Sequence, residues 1–318
     1  MRVAAIDIGT VTSRLMVADV DEGGLSVVRR TSTITDLGMG VDATGRLADD
    51  AIERTVETVA SYKRAIDELA EHTPVDRVVA LATSASRDAE NADEFVGRLR
   101  DVGVELTVIP GSREAELSFL GASNDFGGEA LLFADIGGGS TELAFGTATA
   151  SPDALVPEIR LDAFHSFDIG CRRMTERFLR HDPPSAAELA AARAWALDTF
   201  AEFFACAPFS PERLVAVAGT PTSVVAVRDA LVPYDSAKVH KAQVSRAQFD
   251  DVAHRLSAMP LAERMRVPGI QPKRAGVFPA GVLILDAILE SAGLESFTVS
   301  ESDILTGIVL DAARSVRE

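Results

Sequence analysis

The sequence predicts an α/β protein made of two related halves. Three observations carry that prediction. Short apolar runs with strand-like alternation recur between segments of helical spacing along the chain. One device occurs once in each half: an apolar run ending in Asp-Ile-Gly, a small hydroxyl-rich turn, then an alternating strand. It reads "AAIDIGTVTSRLMV" at 4–17 and "LFADIGGGSTELAF" at 132–145. Finally, 318 residues with 47% hydrophobic content can fill two cores of ordinary size.

In the first half, "RVAAIDIGTVTSRLMVADV" is strand, turn, strand, and "SVVRRTSTIT" is a third strand. From Asp49 to His72 the apolar positions Ile52, Val56, Val59, Ile66 and Leu69 recur at helical spacing. "DRVVALATS" is a buried strand, and "NADEFVGRLR" is a helix with Asn91 and Glu94 as a capping pair. "ELTVIPGS" is a strand, and a helix starts after Ser112. The pattern breaks at "SNDFGGE", 123–129. The second half repeats the plan. Strands are expected at 131–147, near 157–164, at "RLVAVAG" and at "SFTVSE". Helices are expected across 185–205, at "PTSVVAVRDAL", through most of the stretch to 292, and at "DILTGIVLDAAR". The repeated device suggests two related domains facing each other across a cleft.

Charge narrows the function classes. A formal net charge of −17 disfavours a broad basic face for nucleic acid. A polyanion must then be held locally, by backbone N–H groups, a few arginines and a metal ion. The two cysteines, Cys171 and Cys206, give neither a disulfide framework nor a zinc spacing, which fits a reducing cytoplasm. Asp7 arrives too early for a signal-peptide core, and no apolar run has membrane-spanning length.

The glycine turns carry the chemistry. Without Cβ atoms, backbone N–H groups can approach a ligand and form an anion nest. Thr10, Thr12, Ser140 and Thr141 add hydroxyl donors. Asp7 and Asp135 end their strands at the same spot, and a carboxylate beside a phosphate makes sense with a divalent cation, most simply Mg²⁺, between them. A P-loop needs a Gly-Lys-Ser/Thr that is absent, and a dinucleotide fingerprint needs a helix after the glycines. Here a strand follows each turn, as in a phosphate-gripping hairpin.

These motifs, together with "ATSASRDAEN" (82–91), "PGSREAELSFLGA" (110–122), "DIGCRRMTERFL" (168–179), "VAGTPTS" (217–223), "KRAGVFPAG" (273–281) and "VSESDILTG" (299–307), resemble the exopolyphosphatase / guanosine pentaphosphate phosphohydrolase family in that family's order. The family lies within the sugar kinase, heat-shock 70 and actin superfamily. The resemblance implies two ribonuclease H-like domains with the active site in the interdomain cleft. It places the first domain at 1–125 and the second at 126–300. A last helix, about 301–318, returns to pack on the first domain, as in the family's short two-domain form. It also implies a hydrolase of terminal phosphoanhydrides acting on polyphosphate or guanosine pentaphosphate, a Mg²⁺ requirement and a homodimer.

Roles transfer residue by residue. Glu114 matches the catalytic glutamate and would act as general base toward water. Alone, it would read as a solvated carboxylate favoured by its helix N-terminus. Arg87 would clamp phosphate oxygens, with Thr83 and Ser84 lining the same loop and Arg274 as a second candidate. Asp7, Gly9, Thr10 and Thr12 form one nest, and Gly137, Gly138, Gly139, Ser140 and Thr141 the other. Asp7, Asp135 and Glu142 are the metal-side carboxylates. Gly219 and Thr220 offer either a helix N-terminal anion site or a plain strand-to-helix turn. Cys171 has no histidine near it in sequence and reads as core, and His165, His181, His240 and His254 show no ligand spacing.

The sequence departs from the family pattern at Val11, where asparagine is usual, and at Thr12, where serine is. Arg113 replaces a glutamate, Gly276 an acidic residue and Thr306 an arginine. Two other readings stay open, the first because of Val11 and Gly276, the second because kinases share the architecture that the resemblance implies. One is a non-enzymatic binder of polyphosphate or an alarmone. The other, ranked lower, is an ATP-dependent phosphotransferase.

Overall fold

Every residue of the first strand, β1 (Arg2–Ile8), is buried after Arg2, and the first half is organised around it. The computed structural model describes residues 1–22, 24–149 and 156–314. They divide into two units: Met1–Gly128 with Ala148–Ile159 and Asp303–Glu318, and Glu129–Thr147 with Arg160–Ser302.

In the first unit, β1 is followed by β2 (Thr12–Asp21), β3 (Gly24–Ile34), the short α1 (Val41–Thr44) and the long α2 (Asp49–Ala70). Then come β4 (Arg77–Ala82), α3 (Ser84–Asp88), α4 (Ala92–Asp101), β5 (Leu106–Val108) and α5 (Gly111–Ser123). The sheet order is β3-β2-β1-β4-β5. β1 pairs antiparallel with β2 and parallel with β4, so it is covered on both edges. Its alternate residues divide between two cores, which is why it reads as a continuous apolar run. Ala4, Ile6 and Ile8 join Ile52, Val56 and Phe95 from α2 and α4. Val3 and Ala5 join Leu117 of α5 and residues of the last helix, Leu305 and Val309.

The second unit carries β6 (Leu131–Ile136), all but the end of β7 (Thr141–Thr149), all but the start of β8 (Glu158–Phe167), α6 (Cys171–Phe178), α7 (Ala186–Ala205), β9 (Arg213–Val217) and α8 (Gly219–Arg228). Next are α9 (Ser236–Val239), β10 (Gln243–Ser245), α10 (Arg246–Ser257), α11 (Leu261–Arg264), α12 (Phe278–Ala292) and β11 (Ser296–Val299). The sheet order is β10-β11-β9-β6-β7-β8. Again an antiparallel hairpin, β6–β7, is continued by a parallel partner, β9. The two units therefore share the ribonuclease H-like plan. β10 escapes the sequence pattern because three residues are too few to show a period.

The final helix, α13 (Ile304–Arg314), belongs to the first unit and packs on α5, β1 and β2. Two glycines set the α5–α13 crossing. A Cβ on Gly121 would lie 1.9 Å from the Asp303 carbonyl oxygen, and one on Gly307 1.9 Å from that of Leu117. Arg113 adds ion pairs to Glu116 and, on α13, Asp311. Among the described residues no helix is long and apolar enough to cross a membrane.

Two expected helix starts differ. Asn91 does precede α4, but its side chain makes no cap; it accepts from Leu47 N–H at 2.9 Å and donates to Leu47 C=O at 3.0 Å. An amide that bridges one backbone residue in both directions is already satisfied. α5 begins at Gly111, with Pro110 rather than Ser112 ahead of it. By contrast, α7 has a full capping box between Ser185 and Glu188.

Two outcomes follow for stability. Gly307→Ala drives a methyl group into backbone, an overpacking that costs about 1–3 kcal/mol; it should lower the thermal midpoint, read by calorimetry. The Glu188 carboxyl is pulled down to about 2, first by the Ser185 backbone N–H, then by His181. Its folded-state value lies below its unfolded one. The stability it contributes is therefore present above the ordinary carboxylate range and lost as pH falls through about 2. A carbon-detected NMR titration should show Glu188 still ionised at pH 3.

Candidate functional site

The two hairpin turns have the same construction. In β1–β2, Asp7 is opposite Arg14 and Ile8 opposite Ser13. In β6–β7, Asp135 is opposite Glu142 and Ile136 opposite Thr141. Each turn closes with one bond, Gly9 N–H to the Thr12 carbonyl at 3.0 Å and Gly137 N–H to the Ser140 carbonyl at 3.0 Å. That bond makes a side chain a tight fit: a Cβ would lie 3.2 Å from the Thr12 oxygen at Gly9 and 3.0 Å from the Ser140 oxygen at Gly137.

Backbone donors from the following segment take up the turn carbonyls. Gly38 N–H donates to Thr10 at 2.9 Å, and Thr35 and Asp36 N–H both donate to Val11 at 3.0 Å. In the second turn, Cys171 N–H donates to Gly137 at 2.9 Å and Arg172 N–H to Gly138 at 2.8 Å, while Arg173 Nε donates to Gly139 at 2.9 Å. A trans peptide points its N–H opposite to its C=O. Fixing the carbonyls therefore turns the N–H groups of Val11, Thr12, Gly138, Gly139 and Ser140 the other way. Among the described residues no backbone carbonyl takes the N–H of Thr10, Val11, Gly138 or Gly139.

The hydroxyls divide in the same matched fashion. Ser13 bonds Thr35 at 2.9 Å, and Thr141 donates to the Ile169 carbonyl at 2.6 Å. Thr12 and Ser140, at equivalent positions, make no side-chain hydrogen bond among the described residues. Thr141, expected on the phosphate, is thus a buried brace of the turn. Ser84, expected beside it, is buried as well and donates to Asp88 at 3.3 Å.

In the first unit, Glu114 sits in the first turn of α5 and is buried. Arg87, in the last turn of α3, donates from Nη1 to Glu114 Oε2 at 3.1 Å and to the Ile109 carbonyl at 3.2 Å. Among the described residues its Nε and Nη2 have no protein acceptor. A buried carboxylate is thus held by a guanidinium that keeps donors in reserve.

Asp7, expected on the metal, is engaged by an arginine. Its Oδ2 accepts from Arg14 Nε at 2.9 Å and Nη2 at 2.6 Å. Arg14 Nη1 continues to Asp303 Oδ2, which also pairs with Arg30 at 3.0 Å, while Asp303 Oδ1 accepts from Leu305 N–H at 3.0 Å. Burial pushes the Asp7 carboxyl above its ordinary range; Arg14 opposes the shift and Asp303 adds to it. Removing one partner from such a buried chain costs about 3–5 kcal/mol.

In the second unit, Asp135 and Glu142 are buried and directly opposed across β6–β7. Ser166 donates to Glu142 Oε1 at 2.6 Å. α6 is seated on the turn: a Cβ on Gly170 would lie 2.4 Å from the Gly138 carbonyl group. Arg274 lies over the start of α8, where a Cβ on Gly219 would meet its Nη1 at 1.4 Å. Thr220, at the same helix start, is buried against Gly281. Tyr234 stands near Arg274 and Thr222; burial, then the charge of Glu301, raises its phenol. Among the described residues no three His, Cys, Asp or Glu side chains converge as a metal cluster.

Comparison with known proteins agrees with this construction. The model of the Ppx/GppA phosphatase family matches residues 16–316. The chain belongs to the Ppx/GppA phosphatase family. It is 38% identical to Exopolyphosphatase 2 of Mycobacterium tuberculosis, with 98% of each chain covered. A crystal structure of an exopolyphosphatase-like protein superposes with a TM-score of 0.89 at 34% identity, covering 99% of this chain and 100% of that one. The Aquifex aeolicus Ppx/GppA family member does so with a TM-score of 0.81 at 31% identity, covering 100% and 99%.

Against the family pattern, two departures now have structural consequences. Arg113 ties α5 to α13 through Asp311. Gly276 faces open space. Three site residues escaped the sequence reading: Arg14, Arg173 and Asp303. Arg14 was within reach, because the internal repeat sets it at the position equivalent to Glu142, opposite Asp7.

The seating of α6 is testable. Gly170→Ala should push Gly138 and weaken inorganic phosphate binding about ten-fold or more, equivalent to about 1.4 kcal/mol. Gly276→Ala, where a methyl group meets nothing, should leave it unchanged. Calorimetric titration of both variants checks the pair.

Proposed function

We propose that the protein is a Mg²⁺-dependent exopolyphosphatase that removes the terminal phosphate of inorganic polyphosphate, and that it accepts the same phosphoanhydride at the end of guanosine pentaphosphate. The pair of half-buried Arg87 and buried Glu114 carries the proposal, in a unit whose hairpin turns its N–H groups outward. The exopolyphosphatase named at 38% identity over 98% of the chain supports the substrate class.

Glu114 would accept the proton of the attacking water. Its Oε2 stays with Arg87, which fixes the carboxylate while Arg87 Nε and Nη2 take non-bridging oxygens of the terminal phosphate. Thr12 and Ser140 hydroxyls and the turn N–H groups would hold phosphate oxygens of the chain. This machinery reads phosphates alone, which suits a polymer with no base.

Asp135 and Glu142 fit a magnesium ion. They are hard oxygen donors set opposite each other, and Mg²⁺ ordinarily takes one or two carboxylates and completes its shell with water and phosphate oxygens. Bound there, the ion would neutralise charge on the phosphate oxygens. A homodimer in the cytoplasm belongs to the same proposal, on resemblance alone.

Glu114→Gln keeps the size of the side chain and removes the base. Phosphate release from long polyphosphate should fall about 10²–10⁴-fold, while polyphosphate binding is no weaker than in wild type. Release at the wild-type rate would contradict the assigned base. Wild-type protein that binds polyphosphate with Mg²⁺ and releases nothing would contradict the hydrolase.

A further inference from the structure

The two hairpins differ at one position that their register makes equivalent. Opposite the strand-ending aspartate stands Arg14 in the first and Glu142 in the second. The turns match in their closing bond, in the glycine that follows Asp-Ile and in hydroxyl use, while Thr10 and Val11 of the first stand where the second has Gly138 and Gly139. We propose that Arg14 is a positioning residue that acts as a built-in cation: it holds the Asp7 carboxylate out of metal coordination, so that the divalent ion is held by the second hairpin alone.

The geometry supports this in three ways. Arg14 reaches Asp7 with two nitrogens, at 2.9 and 2.6 Å, on the same oxygen. The guanidinium is itself anchored from behind by Asp303, at the entry to α13, so it has little freedom to swing away. Asp303 is held in turn by Leu305 N–H and Arg30. A metal ion at Asp7 would have to displace a half-buried, doubly anchored arginine or sit against its charge. With Arg14 in place, the first hairpin can meet phosphate with its N–H groups and with Asp7 neutralised by an ion pair, without a metal ion of its own.

The inference rests on the assignment of the metal to Asp135 and Glu142, and one experiment separates the two. Mn²⁺, as the probe for Mg²⁺, is titrated into the full chain without substrate and followed by electron paramagnetic resonance. Wild type should bind one ion. Asp135→Asn should weaken it ten-fold or more, whereas Asp7→Asn, an isostere that still accepts from Arg14, should change it less than two-fold. Arg14→Glu, which copies the Asp–Glu pair of the second hairpin, should bind two. An Asp7→Asn loss as large as that of Asp135→Asn overturns the role of Arg14. So does a folded Arg14→Glu chain that binds only one ion. An Asp135→Asn chain that binds as wild type overturns the metal assignment instead, and wild type that binds none overturns both. Should Arg14→Glu not fold, the Asp7→Asn comparison decides.

Discussion

The site depends on where the turn carbonyls go. A short glycine hairpin left to water would expose C=O and N–H alike, and its carbonyl oxygens would repel phosphate. Here donors from the segment behind each turn take those oxygens: Gly38, Thr35 and Asp36 in the first unit, Cys171, Arg172 and Arg173 in the second. Because a peptide is planar and trans, that choice fixes the N–H groups on the opposite side. The start of α6 thereby gives its own first donors to the second turn, and Gly170 is small because α6 must lie on Gly138. An anion site would thus be made indirectly, by satisfying acceptors rather than by supplying donors.

On this shared frame the two halves specialise. The first turn is tied to Asp303 through Arg14 and so to α13, the last helix of the chain. The same α13 packs on α5, which carries Glu114. Folding the chain's end onto the first unit therefore supports both its phosphate turn and its proposed base. Opposite its strand-ending aspartate the second unit has Glu142 where the first has Arg14, and it has Arg274 over the start of α8.

Much of this was legible in the sequence, for physical reasons. The internal repeat showed both hairpins because their glycines and hydroxyls are demanded by local geometry, and local geometry is written in adjacent residues. The long helix α2 showed its period because one face is buried along Ile52, Val56 and Val59. What was hidden depends on pairs far apart in the chain. Nothing near Asp7 announces Asp303, 289 positions beyond Arg14. Asn91 has the composition of a cap, yet Leu47, 44 residues away, takes its amide. Thr141 and Ser140 are alike in sequence, and only the fold gives one hydroxyl to Ile169 and leaves the other. Glu114 gained its weight from family resemblance; its bond to Arg87 joins two helices that no periodicity links.

The central claim is that bare backbone in both hairpins holds phosphate, and amide NMR reads it directly. Long polyphosphate and Mg²⁺ would be added to the deuterated Glu114→Gln chain, which should leave the polymer uncut. The account predicts downfield shifts of the amide protons of Val11, Gly138 and Gly139, the mark of new N–H bonds to phosphate oxygens. Binding that leaves those amides unmoved while others shift would contradict it.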